Sequence, residues 1–274
     1  MEEERIVMYP APGISHIVAM VELAKLLQTH RFNLTILLTT GFLDHPSVHT
    51  YIRRISADHP SISFLRLPHA APSTATTSFA AKAFTFINRN FSNVATTLSQ
   101  ISNTATVKAF VTDLFCSSVV EAASSLRIPV FYFFASGVSS LAILSYLPKL
   151  HEETSASFKD LVGVELRVPG NAPQKAVYMP QPVLDREDPA YREMLDISTR
   201  LSEASGVLVN TFPELEAMAV KAFLDGACVP HSHLAPPLYC IGPLIAEAQL
   251  SGPLFSIEII TQTFSSAIQN ILPY

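Results

Sequence analysis

Arg5-Ile-Val-Met-Tyr-Pro-Ala-Pro-Gly-Ile-Ser-His16 is the stretch that decides the fold of this chain. Arg5 to Tyr9 is a short apolar run with the length and composition of a buried strand. Pro10, Pro12 and Gly13 break it. From about Ile17 the apolar residues Ile17, Met20, Val21, Leu23, Ala24 and Leu27 recur at helical spacing, which predicts an amphipathic helix. The stretch therefore reads as strand, tight loop and helix, with one imidazole, His16, delivered at the helix start. In an open α/β sheet, a loop at the carboxyl end of the first strand is a ligand-binding position.

The same alternation continues downstream. Asn33–Thr40 is a near-continuous apolar run, the habit of a strand buried on both faces of a parallel sheet, and Ile62–Leu67, Val107–Thr112 and Pro129–Phe134 read as the next strands. Helical patterns follow them at Ser47–Ile55, at Ser78–Ile101 (read as one long helix whose aromatics meet the core), after Asp113 through Ala123, and at Ser136–Tyr146. Alternating β and α elements predict a doubly wound, Rossmann-like sheet, and right-handed crossovers restrict its order to 3-2-1-4-5. Lys149–Leu161 reads as a charged helical segment and Val164–Asp188 as an irregular loop. Further elements follow: a helix at Tyr191–Leu201, a strand at Gly206–Asn210, a helix capped by Thr211 with Glu214 three residues on, and a last short strand at Leu238–Ile241.

The totals narrow the function classes. The chain has 274 residues, 49% hydrophobic and 15% charged, with a formal net charge of -5, and no Lys or Arg follows Lys221. Nothing resembles the basic stripe of a nucleic-acid-binding protein. Cys116, Cys228 and Cys240 are too scattered for a disulfide framework, and the opening Met-Glu-Glu-Glu-Arg is acidic where a secretory leader is basic. Both point to the cytoplasm. Ile128–Pro148 is uncharged and long enough to span a bilayer, but Pro129, Gly137 and its serines divide it into strand and helix, so no membrane segment is expected.

On the predicted sheet, His16 follows strand one and Asp113 ends strand four, its neighbour. A carboxylate beside an imidazole fixes its tautomer and stabilises imidazolium, which frees the other nitrogen to take a proton from a hydroxyl. The competing reading is that each residue simply caps its helix. Other chemistries find less support. The dinucleotide glycine fingerprint and the phosphate-loop lysine are absent, and Gly13-Ile-Ser15-His-Ile17 is only half of a nucleophile elbow. Cys228, His231, His233 and Cys240 match no standard zinc spacing, so no metal is expected.

Several stretches together resemble the plant family 1 UDP-glycosyltransferases. They are Met8 to His16 with Met20 to Leu27, Phe110-Val-Thr-Asp-Leu-Phe115, Phe131-Tyr-Phe-Phe-Ala-Ser-Gly137, Gly206 to Glu216, and Tyr239-Cys-Ile-Gly-Pro-Leu244. The resemblance is strongest to members that glucosylate hydroquinone, chalcones and flavonoids. It implies the acceptor-binding domain of a GT-B fold over residues 1–244. It implies His16 as the base that deprotonates the acceptor hydroxyl and Asp113 as its supporting carboxylate, with Gly13, Ser15, Phe115 and Phe134 at the acceptor. Ala135 stands where many members carry a sugar-contacting threonine, with Ser136 beside it as the neighbouring hydroxyl. Ser15 stands where close relatives often have glycine.

The implied reaction transfers a sugar, glucose by subgroup, from a UDP-sugar to a small phenol with inversion. The UDP-sugar is a co-substrate, and no cofactor is implied. The similarity stops after Leu244. The donor domain's tryptophan-initiated signature cannot be present, because the chain has no tryptophan. Residues 245–274 read as a non-family tail, helical along Ile257, Ile260, Phe264, Ile268 and Ile271 or else disordered. Three expectations follow: a chain inactive alone for want of a donor domain, a non-catalytic phenol-binding or regulatory partner associating through the face a donor domain would cover, or an unstable truncated product.

Overall fold

The computed structural model describes residues 4–30, 32–72, 74, 77–229 and 235–246. Strands β1 (Glu4–Tyr9), β2 (Asn33–Leu38), β3 (Ile62–Arg66), β4 (Thr106–Asp113) and β5 (Val130–Phe134) alternate with helices α1 (Ile14–Gln28), α2 (Pro46–Asp58), α3 (Phe79–Arg89), α4 (Phe91–Ser102) and α5 (Val120–Ser124). Helix α6 (Val138–Glu153) follows, then a two-residue hairpin, β6 (Glu165–Leu166) with β7 (Gln174–Lys175). The chain continues through α7 (Gln181–Leu184), α8 (Pro189–Arg200), β8 (Gly206–Val209), α9 (Ala217–Leu224) and β9 (Leu238–Cys240).

Among the described residues the large sheet has the order β3-β2-β1-β4-β5-β8-β9. Its pairings are all parallel. The predicted order is thus its first five strands, extended by the two late strands.

The period-two alternation of each strand divides the core between the two faces. Val7, Tyr9, Phe110, Tyr132 and Val207 pack on one side with α3 to α6, α8 and α9. Ile6, Met8, Ala109, Val111, Phe131, Phe133 and Leu208 pack on the other with α1 and α2. Strands β5 and β8 are buried at every position, whereas the edge strand β3 is mostly exposed. This is the burial expected of a parallel sheet covered on both faces. The six apolar residues read as the inner stripe of α1 are all buried.

Four expectations need correction. Helix α1 starts at Ile14 rather than Ile17, because Gly13, at φ 114°, turns the chain directly into it. The long helix over 78–101 is two helices broken at Asn90. Its buried side-chain amide donates to the Phe86 carbonyl at 2.9 Å, giving the backbone an alternative partner where the helix would continue. Helix α6 runs on through Pro148 to Glu153, anchored by buried Leu147 and Leu150, so the expected charged helix at 149–161 is its last turn, a bend, and a separate 3-10 turn at Phe158–Asp160. Thr211 does not cap a helix: residues 212–216 form turns, and α9 begins at Ala217.

No described helix is long and apolar enough to cross a membrane, and Ile128–Pro148 divides into β5 and α6. His231 and His233, the helical reading of the tail beyond Ala246, and part of the loop before α3 lie outside the described residues.

Candidate active site

The parallel register sets β1 and β4 side by side, with Tyr9 opposite Thr112. Their carboxyl ends therefore release Pro10 and Asp113 at the same edge. The chain after β1 turns at Gly13 and places His16 in the first turn of α1. His16 Nδ1 lies 2.8 Å from Asp113 Oδ2. The other carboxylate oxygen of Asp113 accepts from the Phe115 amide at 3.0 Å. Capping of the 3-10 helix Leu114–Val119 and pairing with His16 are thus both true of Asp113, because each uses a different oxygen. For His16 the capping reading fails, since the cap position of α1 is Gly13.

The Asp113 side chain is 5% exposed and that of His16 is 30% exposed. An ionised carboxylate only accepts, so the Nδ1 nitrogen carries the proton and Nε2 keeps its lone pair. Burial lowers the His16 pKa. The hydrogen bond and the charge of Asp113 raise it, and the net shift is upward from 6.5. Phe115 holds the ring from the side, edge-on at 5.8 Å between centroids, and is itself edge-on to Phe84 and Phe134. Beneath lies Cys116, whose thiol is pushed well up, first by burial and then by the Asp113 charge. It is a packing residue, not a nucleophile.

The dyad opens into a cavity of about 750 Å³. Gly13, Ser15, His16 and Phe115 line it. Phe134 does not: it is buried behind Phe115 and faces a separate cavity of about 80 Å³. Ala135 and Ser136 lie exposed in the turn after β5, one strand over from Asp113.

Other lining residues were missed. Phe79, Phe84 and Ile87 of α3 face the cavity; Phe84 and Ile87 are also buried in the core, as expected of this helix, and Phe79 departs from that expectation. Phe79 is 64% exposed, a sign that its ring completes no core. Leu43 and His45 come from the loop after β2, and Gln181, Pro182 and Met194 from the segment that folds back between α6 and β8. No local pattern marks those positions, because crossing loops bring them to the site. Among the described residues no cluster of three or more His, Cys, Asp or Glu could hold a metal ion.

No protein-family model matches the chain. It is 45% identical over 262 residues to UDP-glycosyltransferase 88F4 of Malus domestica, an alignment covering 92% of this chain and 54% of that protein. It is 45% identical over 252 residues to the phloretin 2'-O-glucosyltransferase of Pyrus communis, covering 88% and 52%. The fold matches Phytolacca americana UGT2 complexed with UDP-2fluoro-glucose and pterostilbene, with a TM-score of 0.80, 30% identity, and 90% of this chain on 55% of that one. The chain spans about half the length of the curated relatives it matches. In sequence and in α/β fold the chain is similar to plant UDP-glycosyltransferases over about half of their length.

Proposed function

We propose that residues 1–244 form the acceptor-binding and deprotonating unit of a UDP-sugar:phenol glucosyltransferase. The observation that carries this is the His16–Asp113 pair opening onto a cavity lined mainly by apolar side chains. A phenol seated there donates its O–H to His16 Nε2. As the phenol oxygen bonds to the anomeric carbon of an α-linked UDP-sugar, the proton passes to Nε2 and the bond to the UDP oxygen breaks. Asp113 stabilises the imidazolium, and inversion gives a β-glycoside. Phenol-binding roles for Gly13, Ser15 and Phe115, and sugar contact by the Ala135–Ser136 turn, belong to this reading. Phe134 acts by supporting Phe115.

A departing diphosphate needs positioned cationic or N–H groups, and such groups supply much of the acceleration in transfers of this kind. The donor signature that the resemblance calls for is not in this sequence. Supplied alone, the 274-residue chain therefore binds a phenol without glycosylating it. A non-catalytic phenol-binding role rests on the same cavity, with exposed Leu215, Met218 and Ile245 as a contact surface for a partner. The free cysteines suit a reducing compartment, the cytoplasm.

Calorimetry with phloretin tests the acceptor site, and no binding would sink it. Fusing the chain to the remaining half of the Pyrus communis relative and supplying UDP-glucose tests the chemistry. Glucoside should form, and should be lost with His16→Ala. Equal activity in that variant would refute the assignment of the base. His16-dependent transfer by the unfused chain would refute the half-site reading, and a monodisperse monomer by ultracentrifugation would remove the partner surface.

A further inference from the structure

The carboxyl edge of the sheet holds a second helix terminus, and it is closed from within. Helix α6 begins one turn after β5 and has no side-chain cap of its own. Its leading amides, those of Val138 and Ser139, donate to Glu216 Oε2 and Oε1 at 2.8 and 2.9 Å. Glu216 precedes α9, and its side chain crosses to α6 rather than capping the helix it introduces. Gly137 makes room for it: a Cβ there would lie 2.4 Å from Oε2 and 2.7 Å from the carboxyl carbon. Two separated stretches, Ala135-Ser-Gly137 and Pro213-Glu-Leu-Glu216, are therefore built around one contact. Burial raises the Glu216 pKa, but the hydrogen bonds from Ser139 and Val138 oppose it, and the carboxyl is held below its ordinary value.

We propose that Glu216 is a positioning and excluding residue, which locks the Ala135–Ser136 turn beside Asp113 and occupies the anion-binding end of α6, so that no donor phosphate is held there. In an open α/β sheet, a helix terminus at this edge is where a phosphate would be expected, since free N–H groups and the helix dipole both favour it. Here a fixed carboxylate already uses both amides, and a phosphate arriving beside it would meet like charge at close range. Neutralising the diphosphate then falls to residues other than those of α6. That helix contributes a rigid turn instead of an anion site.

The inference stands on geometry and does not require the chain to transfer sugar. The test follows the Val138 and Ser139 amides of the full isotope-labelled chain by NMR during titration with inorganic phosphate and with UDP. In the wild type both resonances should stay in place at millimolar ligand. In Glu216→Ala they should show saturable shifts. Glu216→Gln, which keeps the shape, should move them before any ligand is added and serves if the alanine variant does not fold. Gly137→Ala should give the same ligand-free signature, and the double variant Gly137→Ala/Glu216→Gln should add nothing further, since both break one contact. Wild-type amides that respond to UDP as strongly as those of the alanine variant would overturn the proposal. So would a Gly137→Ala chain with unmoved Val138 and Ser139. Phloretin titration of the same samples reads the acceptor cavity separately, so failure of that reading is seen independently.

Discussion

His16 Nδ1 and Asp113 Oδ2 stand 2.8 Å apart across 97 residues of chain, one in the first turn of α1 and the other at the end of β4. The first prediction concerns their titration. With the His16 pKa raised by Asp113 against burial, the NMR titration midpoint of His16 should lie above 6.5. In Asp113→Asn it should fall, because burial then acts almost alone. A pKa raised on folding stabilises the fold fully below the unfolded value, and that contribution disappears as pH rises through the folded value. Asp113→Asn should therefore cost more stability at pH 5.5 than at pH 8.5. In the fused chain, transfer should fall as pH drops through the raised value, since a protonated base cannot act. His16→Ala should lower transfer by about two to four orders of magnitude.

Gly13 enters α1 at φ 114°, a region that side chains disfavour whatever the space around them. Gly13→Ala should destabilise the chain by about 1–3 kcal/mol in urea unfolding. Phloretin affinity should fall with it, because the same turn sets the position of His16.

Phe79 separates binding from stability. It lines the cavity but is 64% exposed, with Phe42 as a ring neighbour at 5.8 Å. Phe79→Ala should change unfolding free energy by only about 0.5 kcal/mol. Its phloretin affinity should drop roughly threefold to tenfold, matching the ~0.5–1.5 kcal/mol of an aromatic pair. A large loss of stability with unchanged binding would contradict the cavity assignment.

Arg186 ties the end of α6 to the segment that folds back over it. Its guanidinium donates to the carbonyl oxygens of Thr154 and His151 and lies 5.5 Å over the Tyr191 ring. His151, whose pKa is lowered by burial and by Arg186, also bonds the Tyr191 hydroxyl at 3.0 Å. Arg186→Ala should cost about 1.5–3 kcal/mol, the range of hydrogen bonds from a charged donor. Arg186→Lys should recover little, because an ammonium cannot both fork and stack. Thermal melts of the two variants check this.

Much of the site was legible because it is built at strand ends. Strand five and the turn after it were readable for the same reason, since Phe131 to Phe134 form an unbroken apolar run ended by Ala135, Ser136 and Gly137. The break at Asn90 was not readable, because it depends on a buried amide returning to the Phe86 carbonyl. Nor was the fate of Glu216. Thr211 and Glu214 have the spacing of a capping box, yet the carboxylate that caps a helix is Glu216, and the helix it caps is α6.

The sequence by itself determined the alternation of buried strands and amphipathic helices, the strand order through β5, and the delivery of His16 and Asp113 to one edge of the sheet. Each follows from local periodicity combined with the handedness of parallel crossovers. The tertiary structure decided that Asp113 both caps and pairs, that Phe79, Phe84, Gln181 and Met194 share one cavity with His16, and that Glu216 closes α6. Those relationships join residues far apart in the chain, and their side chains carry no mark of the partner until packing brings them within a few ångströms.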